Sequence, residues 1–167
     1  MGINATLAAW QEFFVVLAGV AAVLLGLVFV GESIQSGNHV RAGRHWDLAY
    51  ASATSLFYAL VIALALLIPE GRPIAQGVLV VGFGLLGLES SRGAFVTARS
   101  GQWSKPQLAF RFVAPLAAMI VLIVAGLVLI AGWVPGVWLT AGAAFAQITV
   151  GTQNAWDLLL GGTAPSD

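Results

Sequence analysis

The sequence predicts an all-α protein: a polytopic transmembrane helical bundle of five spans, forming a single transmembrane domain over residues 1–167. Three observations predict it. Of the residues, 59% are hydrophobic and 8% are charged, with a mean hydropathy of +0.94, whereas a soluble domain is about 45–50% apolar and about 25% charged. Apolar runs recur that are long enough to cross a ~30 Å hydrocarbon core, which takes about 20 residues per helix. These runs are continuous rather than alternating over ~10-residue segments, which excludes barrel strands, and an unpaired strand in lipid would leave its backbone groups unsatisfied.

The first span covers residues 10–31, and its interior from Phe13 to Val30 carries no charge. The segment before it lacks the basic n-region of a cleavable signal, and its apolar run exceeds a typical h-region, so this span is expected to stay in the mature protein. Ala18, Ala22 and Gly26 recur every four residues and offer a small-residue face for another helix. Spans two (47–68) and three (74–95) are joined by Pro-Glu-Gly-Arg-Pro at 69–73, a turn made of helix breakers. Spans four (110–132) and five (137–160) are separated by Trp-Val-Pro-Gly at 133–136. Without that break the run would be far too long for one crossing at about 1.5 Å per residue. The architecture is thus a single helix followed by two short-turn hairpins. Ser104-Lys105-Pro106 reads as an N-cap with proline in the first turn, and Pro115 is expected to kink span four.

Orientation follows the Lys/Arg bias of the short loops. Arg41 and Arg44 fall in the first long loop, and Arg92, Arg99, Lys105 and Arg111 in or beside the second. Only Arg72 falls in a tight turn. The long loops should therefore face the cytoplasm, with the N-terminus outside and the C-terminus inside. The tryptophans agree, since Trp favours the membrane–water interface: Trp10, Trp133 and Trp138 fall at expected outer ends, Trp46 and Trp156 at inner ends, and Trp103 in the second cytoplasmic loop.

Several chemistries are excluded. Seven Lys/Arg balance seven Asp/Glu, so there is no basic field for nucleic acid. With no cysteine, disulfides, thiolate metal sites and lipidated cysteine drop out. The only lysine, Lys105, lies in a loop and cannot hold a Schiff base within the bilayer; both histidines, His39 and His45, lie in the first long loop, so no span offers paired-histidine haem ligation. Gly82-Phe-Gly84-Leu-Leu-Gly87 matches the dinucleotide fingerprint, but that motif needs a preceding strand and a following acidic residue. Inside an apolar helix its glycines serve close helix packing instead.

Polar residues inside spans are costly and mark partners or cavities. Span five holds the most: Thr140, Gln147 and Asn154 share one face with Gly151 and form a candidate polar pathway, or else hydrogen-bond neighbouring helices. Span two carries a milder set, Ser52, Ser55 and Tyr58. Glu32, Asp47, Glu89, Arg92, Arg111 and Asp157 are expected at one depth near the cytoplasmic ends, as a charged ring that either binds an ion or fixes helix ends by salt bridges and snorkelling. His39 and His45 are too few for a zinc site, which takes four ligands or three plus water, so no metal is expected. A shift of 65 residues superimposes Gly77 on Gly142, Glu89 on Asn154 and Arg92 on Asp157, which fits either a parallel duplication or a chance alignment of apolar segments.

The opening run from Trp10 to Val30 resembles the first span of small, uncharacterised bacterial multi-span integral membrane proteins. The resemblance implies a bacterial inner (plasma) membrane and supplies no activity. The expected function is a non-enzymatic integral membrane protein, an accessory or self-associating subunit of a membrane complex, in contact with the lipid bilayer, holding bound lipid and no cofactor. The alternative is a small homo-oligomeric channel or transporter lined by the polar face of span five. An intramembrane enzyme is disfavoured, because no nucleophile–base or metal-ligand constellation is evident in the spans.

Overall fold

The computed structural model describes residues 2–35, 44–68, 72–99 and 109–160. They form α1 (Ile3–Gln35), α2 (Arg44–Leu66), α3 (Pro73–Arg99), a π-helical turn (Ala109–Val113), α4 (Ala114–Ile130) and α5 (Pro135–Leu160), and no strand occurs among them. Four helical segments are long and apolar enough to cross a membrane: Ile3–Ser33, Leu48–Leu66, Pro73–Gly93 and Ala109–Ile130. At 26 residues α5 has the length of a span. Thr140, Gln147, Thr149, Gln153 and Asn154 dilute its apolarity, and it is not among the four.

Apolar runs mark where hydrocarbon begins, not where helices end. Residues 4–9 contain neither glycine nor proline, so α1 starts well before Trp10. Its 33 residues reach about 50 Å at about 1.5 Å per residue.

Helices α2, α3, α4 and α5 pack in a closed ring, each against the next, and α1 lies outside it, mainly on α2. Leu56, Ile62, Val80, Met119, Leu122 and Leu129 are buried within the ring. From α1 the face Phe14, Leu17, Ala18, Ala21 and Val28 is buried, while Val16, Val20, Val23, Leu27 and Val30 are exposed. That outward apolar surface suits hydrocarbon better than water. Of the expected small-residue face on α1, only Ala18 is used within the protomer. Ala18 is buried, but Ala22 and Gly26 are exposed, and a Cβ on Gly26 would meet nothing within 4 Å. A four-residue step advances about 40° beyond one helical turn, so such a stripe drifts off the contact line, and Ala21 takes the next contact.

Glycine sets the α3–α4 approach. A Cβ on Gly77 would lie 2.7 Å from the Gly126 carbonyl oxygen, and one on Gly126 would lie 2.7 Å from that of Gly77. Gly84 and Gly87 of the fingerprint-like run face Ile123 and Met119, while Gly82 faces open space. The run is therefore a packing face inside α3, as expected.

The α4–α5 turn closes through Gly132 at φ +76°, the left-handed residue that commonly ends a helix. Trp10 of α1 meets Trp138 of α5 edge-on with centroids 4.5 Å apart, and a cavity of about 360 Å³ is lined by residues of early α1 and by Leu66, Ile68, Arg72 and Gln76. The N-terminal end of α1, the end of α2, the start of α3 and the start of α5 thus gather at one end of the bundle. The 65-residue correspondence does not carry over into environment. Gly77 is buried against α4 whereas Gly142 faces open space, and Glu89 is exposed whereas Asn154 is fully buried.

Candidate functional site

The site is built on the inner face of α5. Thr140, Gln147 and Asn154 stand seven residues apart, close to two full helical turns, and all three side chains are fully buried. Thr140 donates to the Gly136 carbonyl of its own helix at 2.8 Å. The Gln147 amide donates to the Pro115 carbonyl of α4 at 3.0 Å, while its Oε1 has no partner. Among the described residues, neither the Oδ1 nor the Nδ2 of Asn154 has a hydrogen-bond partner. An unmet buried polar group costs about 1–3 kcal/mol on the scale of protein mutations, so Asn154 is the most strained member of the set. Between them Gly151 admits α2: the Ser52 hydroxyl donates to the Gly151 carbonyl at 2.7 Å, and a Cβ on Gly151 would lie 2.8 Å from Leu56. The other polar residues of α5 turn away, with Thr149 and Gln153 exposed.

Pro115 explains the geometry at the head of α4. Its ring has no N–H to bond the Arg111 carbonyl, and the expected kink takes the form of the π-helical turn ending at Val113. The turn delivers Arg111 to Asp157 of α5 as an ion pair, with the arginine side chain 15% exposed and the carboxylate 43%. A small cavity of about 10 Å³, room for a single water, lies beside it, lined by Ser55, Ser91, Arg111, Phe112 and Pro115 among others. Ser104 and Pro106 lie outside the described residues.

The remaining members of the charged ring are dispersed. Glu89 and Arg92 pair on α3 at 3.9 Å with both side chains largely exposed, an arrangement worth little in stability. Glu32 is half-buried on a groove beside α1. Asp47 and His45 lie in α2, but their side chains, like all of His39, fall outside the described residues. The structure thus joins Arg111 to Asp157 and leaves Glu89 and Arg92 as a separate exposed pair. Among the described residues, no group of three His, Asp or Glu side chains is placed to hold a metal.

Two polar contacts escape sequence reasoning. Gln76 is buried, and its amide donates to the carbonyl of Leu66, the last residue of α2, at 3.0 Å, so α3 satisfies a helix-end carbonyl of its neighbour. Its signal was a lone amide in the apolar first turn of span three. The second is Tyr58 of α2, whose hydroxyl lies 3.3 Å from that of Ser90 on α3; Tyr58 was visible as a polar residue, its partner was not. No protein-family model matches the chain, and comparisons with curated proteins and with solved structures find no match.

Proposed function

We propose that this protein is a non-enzymatic, multi-pass membrane subunit of a bacterial inner membrane, accessory to a larger complex or self-associating. It has five spans, the N-terminus outside and the C-terminus inside. One observation carries the reading: Thr140, Gln147 and Asn154 are all buried inside the protomer. A pore lined by that face between copies would need it on the outside of α5. The outer surface instead offers Gly19, Ala22 and Gly26 on one exposed stripe of α1, where a Cβ on either glycine meets nothing within 4 Å. In lipid such small residues let another helix approach closely.

The test is assembly against flux. In detergent and nanodiscs the protein is expected as a defined oligomer or bound to a larger partner, with Ala22→Leu and Gly26→Leu weakening that association, and proteoliposomes are expected to show no ion flux. A C-terminal reporter is expected to be active only on the cytoplasmic side. The alternative, a channel or transporter using the polar face of span five, draws support from one feature, the unmet amide of Asn154. Flux that falls on Gln147→Leu while assembly stays intact would replace the first reading by the second.

A further inference from the structure

Most hydroxyls of the bundle are accounted for within the protein. Thr140, Thr149 and Thr152 each donate to the carbonyl four residues back in α5, and Ser90 does the same in α3. This is the usual outlet of a hydroxyl inside a helix. Ser52 instead reaches across to Gly151. Ser55 of α2 and Ser91 of α3 do neither. They are 3% and 7% exposed, and among the described residues neither hydroxyl has a hydrogen-bond partner. Their oxygens also differ from the unmet amide atoms of Gln147 and Asn154, which are sealed in protein. Both serines line the cavity of about 10 Å³ at the head of α4, together with Thr54, Arg111, Phe112 and Pro115.

A buried hydroxyl without a partner is unfavourable, and two of them on different helices around one space call for a shared partner. The space sets its size: about 10 Å³ holds one water, and a buried water takes two to four polar partners. Ser55, Ser91 and Thr54 supply three hydroxyls, each able to donate or accept, which matches a molecule that does both. A bare cation would stand against the Arg111 guanidinium, and a bare anion would compete for it with the Asp157 carboxylate. The backbone favours the same position. Pro115 interrupts the helix ladder here, and at such breaks in membrane helices π-helical turns, Ser/Thr side chains and ordered water make up the lost bonding. The π-helical turn and the hydroxyls are both present.

We infer that this cavity is a binding site for a single ordered water, held by Ser55 and Ser91, which ties α2 and α3 to the proline-broken head of α4. The site needs the bundle fold and neither of the two functional readings.

Radiolytic footprinting of the full-length protein in nanodiscs tests it. A short X-ray pulse splits bound water into hydroxyl radicals that oxidise the adjoining side chain, and peptide mass spectrometry locates the product. Phe112 lines the cavity and is 2% exposed, and Phe14, buried elsewhere at 1%, is its control. Phe112 is expected to be oxidised about tenfold more than Phe14, since ordered water lies only beside polar groups and an apolar interior stays dry. Ser55→Val and Ser91→Val bring a methyl into the cavity and should reduce Phe112 to the level of Phe14. The exposed Trp133 should be oxidised as in the parent, and helical circular dichroism should match. Ser91→Ala adds no atom and removes one partner; it should lose part of the signal, and it decides the matter where a valine variant fails to fold. Phe112 oxidised no more than Phe14 in the unaltered protein overturns the inference. Oxidation of Phe112 that is unchanged in the folded serine variants overturns it too, because the radicals would then come from bulk solvent.

Discussion

The α3–α4 and α2–α5 interfaces use glycine in opposite ways. Between α3 and α4 the two backbones meet directly, Gly77 against Gly126, with Gly84 and Gly87 against Ile123 and Met119. Between α2 and α5 the glycine makes room for a hydrogen bond: Gly151 admits Leu56, and its carbonyl accepts from Ser52. The difference follows the composition of the partners. Association in lipid draws on van der Waals packing and interhelical hydrogen bonds. The α3–α4 pair depends on the first, and α5, which buries Thr140, Gln147 and Asn154, depends more on the second. A helix that carries amides needs neighbours that satisfy them: Gln147 of α5 donates to the Pro115 carbonyl of α4, and the Gly151 carbonyl of α5 in turn accepts from the Ser52 hydroxyl of α2.

The largest effect should come from breaking the backbone contact. In Gly126→Ala the new methyl would lie 2.7 Å from the Gly77 carbonyl oxygen and 2.8 Å from the Val81 nitrogen, atoms that cannot rotate away. Overpacking of this kind costs about 1–3 kcal/mol, and Gly126→Val should cost more and prevent purification of a monodisperse protein. Gly82→Ala on the same pair of helices meets open space and should be neutral or slightly stabilising, since alanine favours a helix by about 1 kcal/mol over glycine. Melting temperatures in one detergent decide it. Equal losses at the two positions would break the distinction between close approach and helix propensity.

The two glycines also show how far the sequence could be read. Helix number and approximate order are legible, because apolar runs and proline-glycine turns are local signals. That Gly84 belongs to packing and not to a nucleotide loop is legible from its helical context. That Gly77 meets Gly126 is not, because the partner of a small residue depends on how two helices cross. The same limit explains α1, where Ala22 and Gly26 had the right spacing and face outward. On α5 the shared face of Thr140, Gln147 and Asn154 follows from periodicity, and their complete burial needed the ring of α2 to α5. The ring of charges expected at one depth required lateral positions that spacing does not contain. Arg111 and Asp157 meet across elements, joined by a π-helical turn that Pro115 hinted at as a kink.

A second, intermediate effect tests the polar interface through its weakest member. Asn154 is fully buried with both amide atoms unmet. Replacing an unsatisfied polar group by an apolar one of similar size removes its desolvation penalty of about 1–3 kcal/mol. Asn154→Leu is therefore expected to raise the melting temperature, the opposite sign from most core substitutions. A fall in stability would mean that the amide has a partner in the assembled protein, which would strengthen the pathway reading of α5. Gln147→Leu provides the contrast, since it loses a bond to Pro115 as well as the unmet Oε1, and it should fall below Asn154→Leu on the same scale.

The smallest effect is the most specific one. Ser52→Ala removes the 2.7 Å bond to the Gly151 carbonyl and leaves an oxygen that already accepts within its own helix ladder. Interhelical hydrogen bonds in a membrane average about 0.6 kcal/mol, so the loss should be near that figure and far below the cost of Gly126→Val. The informative measurement is a double-mutant cycle with Gly151→Ala, read as equilibrium unfolding in mixed micelles. If the hydroxyl acts by drawing α2 onto α5 at the glycine, the methyl at 151 already holds the helices apart, and Ser52→Ala should then cost almost nothing more. Additive losses would show that the hydroxyl and the glycine stabilise the interface independently. In that case α5 would be held by packing in the same way as α4, and the contrast between the two interfaces would reduce to their composition.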